Sequence, residues 1–324
     1  MAKIMLAPME GVVDANMRNL LTRIGGIDTC VTEFIRITGQ PLPDRDLLKK
    51  VPELLNPGCS TNGVPVIVQF LGCNPQMLAY HAQRAVALGA RGIDLNFGCP
   101  SKTVNKHRGG AVLLDEPDTI HQIVAAVRDS LSADIVVSAK MRLGNKDKFL
   151  AVDNAQAIEA AGASSLVVHA RTKTEGYRPP AHWHWIRKIK ESVALPVVAN
   201  GDVWDWQDYQ QCRDVSGCED VMIGRGLLAN PGLALTIKQR LRGDTVVGLD
   251  WADIMRLIIE YYENVQLQLP PPFVSGRVKQ WLNMMRKHNP KAQQLFEQIK
   301  KVSDLKEMTK LLDLQLKLAL ADRP

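Results

Sequence analysis

The sequence predicts an α/β fold, a (β/α)8 TIM barrel followed by a small C-terminal helical-bundle domain. From the N-terminus to about residue 240, short apolar runs rich in β-branched residues alternate with longer helical patterns. Eight strand–helix units in this length match the usual size of such a barrel. After Gly243 the alternation stops and only helical patterns follow. We therefore expect the barrel to span residues 1–243 and the helical domain to span residues 244–324.

The eight apolar runs are interpreted as strands because their apolar residues are nearly continuous rather than alternating. This is typical of parallel strands that are covered on both faces. Helical patterns lie between the runs, for example at residues 75–88, 117–131 and 151–161, and glycines mark the points where these helices should stop. The predicted strands, in chain order, are Ile4–Pro8, Thr29–Phe34, Pro65–Leu71, Gly92–Phe97, Ile135–Met141, Ser165–Ala170, Pro196–Asn200 and Asp220–Ile223.

A doubly wound sheet is the competing α/β architecture. Such a sheet usually has fewer strands in this length and, when it binds a dinucleotide, a G-x-G-x-x-G turn after the first strand. Here the first predicted strand is followed by Pro8, Met9, Glu10 and Gly11 instead. The barrel is therefore the favoured interpretation.

The C-terminal region carries four helical patterns with start and stop signals between them. Asp250 is a suitable N-cap for the first pattern, and the three prolines from Pro270 should end that helix, because proline cannot continue it. Asn289 and Pro290 fit an N-cap followed by proline at the first helical position. We interpret this region as a helical bundle packed beside the barrel.

The composition is that of an ordinary globular enzyme, with 46% apolar and 23% charged residues. No apolar run approaches the ~20 residues that a membrane span requires. The N-terminus lacks a signal-peptide cleavage pattern. The six cysteines form no CxxC pair, and no His/Cys cluster has the spacing of a metal site. We expect a cytoplasmic protein with neither a membrane nor a metal as partner.

Basic residues are concentrated between Ser275 and Lys301, where seven of them face one acid, Glu297. The local charge of +6 equals the net charge of the whole chain. Such a stretch is either a solvated helix face that keeps the protein soluble or a surface that follows the phosphates of a nucleic acid. Charge alone leaves both interpretations open. The seven basic residues are Arg277, Lys279, Arg286, Lys287, Lys291, Lys300 and Lys301.

Polar and reactive side chains collect at the ends of the predicted strands, where barrels build their active sites. After the seventh and eighth strands come Asn200-Gly201-Asp202 and Gly224-Arg225-Gly226. In barrels this position commonly holds a ligand phosphate on backbone N–H groups, and Arg225 would add a charged donor. The alternative is that the glycines only permit tight turns.

Residues at the other strand ends suit a flavin ring. Lys140 ends the fifth strand, where its charge could stabilise an anionic reduced ring. Gln69 and His169 could bond the ring edge, although a histidine at a strand end is often structural. Pro8 and Met9 would pack against one ring face, with the backbone of Met9 and Glu10 within reach.

Cys99 differs from the other five cysteines because it lies at a strand end, between Gly98 and Pro100. As a thiol it can act as a general acid. If the basic residues at 102–108 approached its sulfur, they would favour the thiolate of a nucleophile instead. A buried packing cysteine is the third interpretation. The glycines at 109 and 110 would allow the loop that follows to move.

Several motifs resemble those of the tRNA-dihydrouridine synthases, over the barrel and the helical tail. The combination of the first two motifs with the last is similar to the bacterial C-type branch, which acts on the uridine at position 16 of the D-loop. The motifs are APMEGVVD (7–14), TEFIR (32–36), DLNFGCPSKTV (94–104), KMRLG (140–144), VVHARTKTEGY (167–177), VVANGDV (197–203), VMIGRGLL (221–228) and GRVKQWL (276–282).

The resemblance implies an enzyme that binds FMN, takes electrons from NADPH and reduces uridine in tRNA. It assigns Cys99 as the proton donor to uracil C5 while the flavin delivers hydride to C6. A monomer is expected for a barrel with its own RNA-binding tail. The implied FMN-binding residues are Pro8, Met9, Glu10, Gln69, Lys140, His169, Asn200, Gly201, Asp202, Gly224 and Arg225. The implied tRNA contacts are Arg36, Asn96 and Tyr177 near the target nucleotide, and Arg277, Lys279 and Arg286 on the backbone.

Two other functions compete with this one. An FMN-dependent small-molecule pyrimidine reductase would share the barrel and the chemistry, but a free base would not need the basic tail. A non-catalytic RNA-binding protein could keep the barrel as a scaffold, but Cys99 and Lys140 would then serve no purpose.

Overall fold

The computed structural model describes residues 1–323, which form a closed parallel β-barrel surrounded by helices, with four further helices at the C-terminus. Each of the eight barrel strands pairs in parallel with both neighbours, so the ring closes without a free edge. The predicted barrel is therefore confirmed. The strands are β1 Ile4–Leu6, β2 Thr29–Val31, β3 Ile35–Arg36, β4 Val66–Leu71, β5 Gly92–Phe97, β6 Val136–Arg142, β7 Ser165–His169, β8 Val197–Asn200 and β9 Val221–Ile223.

The eight predicted runs all contain a strand, but the second run differs in detail. The sequence predicts one strand over 29–34, whereas the structure has β2 and the two-residue β3 with a break between them. At the break the backbone N–H of Gln69 donates to the hydroxyl of Thr32 at 2.9 Å. A side-chain acceptor thus occupies a position where a continuous ladder would use a backbone carbonyl, so regular pairing stops there and resumes at Ile35.

Helices connect the strands and cover the outside of the barrel. Three of them begin at a side-chain cap: Asp14, Asn74 and Asp205 each accept a hydrogen bond from a backbone N–H of the helix that follows. The helices of this part are α1 Ala15–Ile24, α2 Asp44–Lys50, α3 Pro75–Ala87, α4 Lys102–Lys106, α5 Pro117–Asp129, α6 Ala151–Ala160, α7 Trp183–Ser192, α8 Trp206–Ser216, α9 Arg225–Ala229 and α10 Leu233–Arg242, with short 3-10 helices at Pro52–Leu55 and Gly110–Asp115.

The C-terminal helices begin and end close to the predicted signals. Asp250 forms a capping box with Asp253 at the start of the first, and Asn289 caps the third. The prolines from Pro270 separate the first two helices, and two of them also begin the second, where a missing N–H does no harm. The four helices are α11 Trp251–Gln268, α12 Pro271–Met285, α13 Pro290–Ile299 and α14 Leu305–Ala321.

The C-terminal helices pack directly on the barrel through α12. Trp281 is 1% exposed, and its indole N–H donates to the carbonyl of Leu228, on α9, at 3.1 Å. Arg277 forms an ion pair with Asp14, the N-cap residue of α1, which follows β1, the strand next to β9. The bundle is thus held to the end of the barrel where the strands terminate. The boundary expected at Gly243 falls where α10 ends, and it stays a prediction.

No helix within residues 1–323 is both long enough and apolar enough to cross a membrane.

Candidate active site

The strand ends surround a cavity of about 520 Å³. Residues from the ends of β1, β4, β5, β6, β7, β8 and β9 line it together, because all the strands of a parallel barrel end on the same rim. The sequence-predicted residues that line this cavity are Pro8, Met9, Glu10, Gln69, Asn96, Cys99, Lys140, His169, Tyr177, Asn200, Gly201, Asp202, Gly224 and Arg225.

Four of the predicted residues lie outside this cavity. Arg36 lines a second cavity of about 310 Å³, which the loop after Cys99 borders through Val104, His107 and Gly109. The other three predicted residues are on α12 or at its C-terminal end; they are Arg277, Lys279 and Arg286.

The three basic residues of α12 have different surroundings. The guanidinium of Arg277 is largely enclosed, and it donates to Asp14 and to the carbonyl of Gly11. Arg286 lies 4.3 Å from the ring centre of Phe296. Lys279 has no ion pair or hydrogen bond within the described chain. Of the three, only Lys279 therefore has an ammonium group that no other residue of the described chain binds.

The backbone around Cys99 is held from both sides. Its carbonyl accepts hydrogen bonds from the Asn105 side chain at 2.9 Å and from the N–H of Ala111 at 3.1 Å. Gly110 has φ +69°, and a Cβ atom there would lie 2.7 Å from the Cys99 carbonyl oxygen. The sequence predicts loop mobility at this glycine, which stays a prediction; the structure adds a close backbone contact that a side chain would disrupt.

The environment of Cys99 favours the thiol. Burial raises the pKa of Cys99, and the nearby carboxyl of Glu10 raises it further, against the lowering effects of the Ser101 backbone N–H and of Arg142. The basic residues at 102–108, whose approach would have favoured thiolate, do not contribute to this balance. One of them, Arg108, forms an ion pair with Glu116. The side chain is therefore suited to donating a proton.

Lys140 lies deep in the cavity, where its ammonium donates to the side-chain oxygen of Asn200 at 3.0 Å. Enclosure by the barrel lowers the pKa of Lys140 to about 8, and the charge of Arg142 lowers it too, whereas Asp94 opposes the shift. The ammonium can therefore lose its proton at mildly alkaline pH, which an exposed lysine does not do.

His169 is neutral at physiological pH. Burial lowers its pKa well below the usual value, and the charges of Arg142 and Lys140 reinforce this effect. Its Nδ1 atom is buried and has no hydrogen-bond partner among residues 1–323. A neutral imidazole with an unpaired nitrogen beside a cavity can either donate a hydrogen bond to a ligand or accept one from it, depending on the tautomer.

The loops after β8 and β9 contain backbone N–H groups that are available to a ligand. The backbone N–H groups of Gly201, Asp202 and Gly224 donate to no atom of the described chain. Asp202 accepts from Arg225 at 2.9 Å and also binds Arg171, which fixes both guanidinium groups at this end. Gly201 has φ +127°, which the tight-turn interpretation explains, whereas the phosphate site stays a prediction.

Sequence reasoning missed several residues that shape the cavity. Arg142 is 4% exposed and donates to the carbonyls of Gly98 and Thr172 at 2.8 and 3.0 Å. Its signal was available, because a charged residue at the end of an apolar strand needs a partner. Trp204 and Met284 also line the cavity. They come from a loop and from α12, and no local pattern distinguishes them.

Comparison with known proteins places this chain among relatives of nearly the same length. The dihydrouridine synthase (Dus) family model matches residues 5–320. A tRNA-dihydrouridine(16) synthase of Aquipseudomonas alcaligenes is 49% identical over 96% of this chain and 99% of the relative. Proteins of the same name from Pseudomonas putida and Neisseria meningitidis serogroup B are 47% and 49% identical, over 97% and 96% of this chain and over 97% and 93% of the relatives.

Solved structures share the barrel at much lower sequence identity. A 2-naphthoyl-CoA reductase complex matches with a TM-score of 0.56 at 13% identity, over 75% of this chain and 50% of that one. A morphinone reductase variant in complex with tetrahydroNAD matches with a TM-score of 0.51 at 12% identity, over 76% and 88%. These similarities concern the fold alone. The full-length family match and the close relatives show that the chain belongs to the dihydrouridine synthase family.

Proposed function

We propose that this protein reduces uridine to 5,6-dihydrouridine in the D-loop of tRNA, at position 16, with FMN as its cofactor and NADPH as the electron donor. The proposal rests on the relatives named tRNA-dihydrouridine(16) synthase, which this chain matches over nearly its whole length. The observation that carries the chemistry is that Cys99, whose pKa is raised by burial, lines the same cavity as Lys140.

The residues of the cavity fit a flavin mononucleotide. The volume of the cavity lies within the range of ordinary ligand sites, which is roughly 300–1,000 Å³. Lys140 offers a cation and His169 an unpaired nitrogen for the polar edge of the ring. The available backbone N–H groups of Gly201 and Gly224, together with Arg225, suit the phosphate at the other end of the cofactor. Pro8, Met9, Glu10, Gln69, Asn200 and Asp202 complete the proposed cofactor site.

In the proposed reaction the C5=C6 double bond of uracil gains a hydride at C6 and a proton at C5. Bound FMN, after reduction by NADPH, would supply the hydride. Cys99 donates the proton to C5 and is left as a thiolate, which regains a proton from solvent before the next turnover. The raised pKa of Cys99 keeps the proton on sulfur at neutral pH, ready for transfer.

The target uridine must leave its stack in the RNA to reach a site inside a barrel. Tyr177 is 55% exposed at the mouth of the cavity, with the guanidinium groups of Arg142 and Arg225 at 5.2 and 4.8 Å from its ring centre. An aromatic ring in this position suits stacking against a nucleobase. Asn96 lies deeper in the same cavity and would contact the target base.

We assign the remaining proposed RNA contacts to the rim. The cavity beside Arg36 lies across the Cys99 loop from the main cavity, where it could take a nucleotide next to the target. On α12, Lys279 and Arg286 would contact phosphates directly. Arg277 already forms an ion pair with Asp14, so we expect it to contribute less to binding the tRNA backbone.

The test is incubation of the protein with NADPH and unmodified tRNA, followed by mass mapping of the D-loop. We expect dihydrouridine at position 16, a lower rate with NADH, and no reduction of free uracil or uridine. Reduction of the free base but not of tRNA would instead indicate a small-molecule pyrimidine reductase.

The matched variant is Cys99→Ala. It should keep the yellow flavin spectrum but lose most dihydrouridine formation, by about 10²-fold or more, as expected when a general acid is removed. Loss of the flavin, or full activity, would contradict the role given to Cys99.

A further inference from the structure

A chain of buried hydrogen bonds leads from the barrel interior to the loop that carries Cys99. It begins at Asp94 on β5, which is 1% exposed. One carboxylate oxygen accepts from the hydroxyl of Ser138 at 2.7 Å, and the other accepts from the side-chain amide of Gln69 at 2.7 Å. Ser138 and Gln69 are the register partners of Asp94 on the two neighbouring strands, so the barrel itself brings the three residues together.

The chain continues through Gln69 to Asn96. The amide oxygen of Gln69 accepts from the amide nitrogen of Asn96 at 2.7 Å. The amide oxygen of Asn96 then accepts from two backbone N–H groups, those of Gly98 and Cys99, each at 2.9 Å. Asn96 follows Asp94 by two positions on one strand, so both side chains point into the barrel.

The polarity of every link in this chain is determined by its two ends. The backbone N–H groups can only donate, so Asn96 must turn its oxygen toward them and its nitrogen toward Gln69. Gln69 must then present its oxygen to Asn96 and its nitrogen to Asp94. The last position therefore requires an acceptor, and a residue without one would leave a buried N–H unpaired or allow the amides to flip.

We propose that Asp94 is a positioning residue for Cys99, which it holds in place by fixing the orientation of the Gln69 and Asn96 side-chain amides. Burial raises the pKa of Asp94, with bonds from Ser138 and Gln69 acting against the shift. An acceptor is needed in either protonation state, so the role does not depend on the charge. That this positioning serves proton transfer from Cys99 rests on the proposed function. The positioning of the loop itself does not.

Two substitutions of similar size separate the acceptor from the charge. Asp94→Asn removes the charge but can still accept from Gln69, while its own nitrogen donates to Ser138, whose hydroxyl can reverse. Asp94→Leu removes both the charge and the acceptor. Both variants also remove the same electrostatic effect on Lys140, so a difference between them reports on the hydrogen bond alone.

The readout is the rate of Cys99 alkylation by iodoacetamide at one pH, followed by mass spectrometry of the peptide that carries Cys99, in the flavin-loaded protein. A freed loop exposes the half-buried thiol. We expect Asp94→Leu to react about tenfold faster than the native protein or more, a factor equivalent to about 1.4 kcal/mol. Asp94→Asn should stay within about twofold of the native rate.

An unchanged rate in Asp94→Leu, or an equal increase in Asp94→Asn, would overturn the proposal. Gln69→Met breaks the same chain one link further on, and it carries the test if Asp94→Leu does not fold. It should also react about tenfold faster, and a native rate would again refute the role of the chain. Alkylation requires no tRNA and no turnover, so it distinguishes a wrong positioning role from a wrong proposed function.

Discussion

At the scale of single residues, enclosure in the barrel moves three titratable side chains of the cavity toward their neutral forms. The pKa of Cys99 is raised, and the pKa values of Lys140 and His169 are lowered, because each charged form loses solvation in the cavity. The site thus combines a protonated thiol, a neutral imidazole and an ammonium that remains charged below about pH 8. This combination suits proton donation next to a ligand that develops negative charge.

The lowered pKa of Lys140 predicts a pH-dependent effect of Lys140→Met on stability. The pKa is about 8 in the folded protein and ~10.4 in an unfolded chain. Between these values the unfolded chain binds more protons, so the native protein gains stability as the pH rises. In flavin-free protein, Lys140→Met should therefore raise the melting temperature at pH 7, and the gain should shrink by pH 9.5.

Thermal unfolding of both proteins at the two pH values measures this effect. Comparison across pH cancels the change in packing that methionine introduces. A difference in melting temperature that is the same at pH 7 and pH 9.5 would show that Lys140 is not perturbed.

At the scale of elements, the site depends on how strand ends and the following loops fit together. The loop after β5 returns to touch its own beginning, where Gly110 packs against the backbone of Cys99. The loop after β8 begins with Gly201 and Asp202, both with positive φ, and leads to Trp204, which stacks on His288 of the C-terminal region at 4.7 Å. Loops with unusual backbone conformations therefore bring reactive groups to the rim.

The contact of Gly110 predicts a large effect for Gly110→Ala. The added Cβ would lie 2.7 Å from the Cys99 carbonyl oxygen and 2.9 Å from its Cβ, at φ +69°. Gly63→Ala is the matched control, since Gly63 has φ +78° but nothing within 4 Å of an added Cβ. We expect Gly63→Ala to lose about 1 kcal/mol of stability from the backbone conformation alone, with activity retained.

Gly110→Ala should lose at least about 2 kcal/mol, because the steric overlap adds to the backbone strain. It should also lose most dihydrouridine formation, since Cys99 must move. Urea unfolding and the tRNA assay measure both effects. Equal stability losses in the two variants would show that the close contact with Cys99 has no energetic role.

At the scale of the whole molecule, the C-terminal helices pack on the rim of the barrel that carries the cavity. Trp281 is anchored on α9, Arg277 on the N-cap residue of α1, and Met284 lines the cavity itself. A surface for tRNA on α12 would therefore lie beside the cavity. This proximity is what a large substrate requires when one nucleotide enters the site and the rest stays outside.

The basic surface of α12 predicts a change in the salt dependence of tRNA binding. Lys279→Ala with Arg286→Ala should weaken binding and reduce the slope of log affinity against log salt by about 1 to 2, since each phosphate contact contributes roughly 0.7–0.9. Titrations at several salt concentrations measure the slope.

The control is Lys190→Ala with Arg242→Ala, which also removes two charges. These residues lie at or near the C-terminal ends of α7 and α10, on the side of the barrel away from the cavity. The slope should then remain native. Equal effects of the two pairs would mean that only the overall charge of the protein matters.

The sequence by itself determined the barrel and grouped many, but not all, of the residues that line its main cavity. Strand and helix periodicity are local, and in a parallel barrel every strand end lies on the same rim, so residues such as Lys140 and Arg225 could be grouped without knowing their distances. The second strand was placed correctly but drawn too long, because its break depends on the side chain of Thr32, which local pattern does not reveal.

Only the tertiary structure decided how these residues behave. Whether Cys99 is a thiol depends on burial and on Glu10, in the turn after β1, and Arg142, at the end of β6. The pairing of Arg277 with Asp14 joins residues 263 positions apart, and the chain that begins at Asp94 crosses three strands. Protonation and hydrogen bonding follow from what lies within a few ångströms, and sequence separation carries no information about that distance.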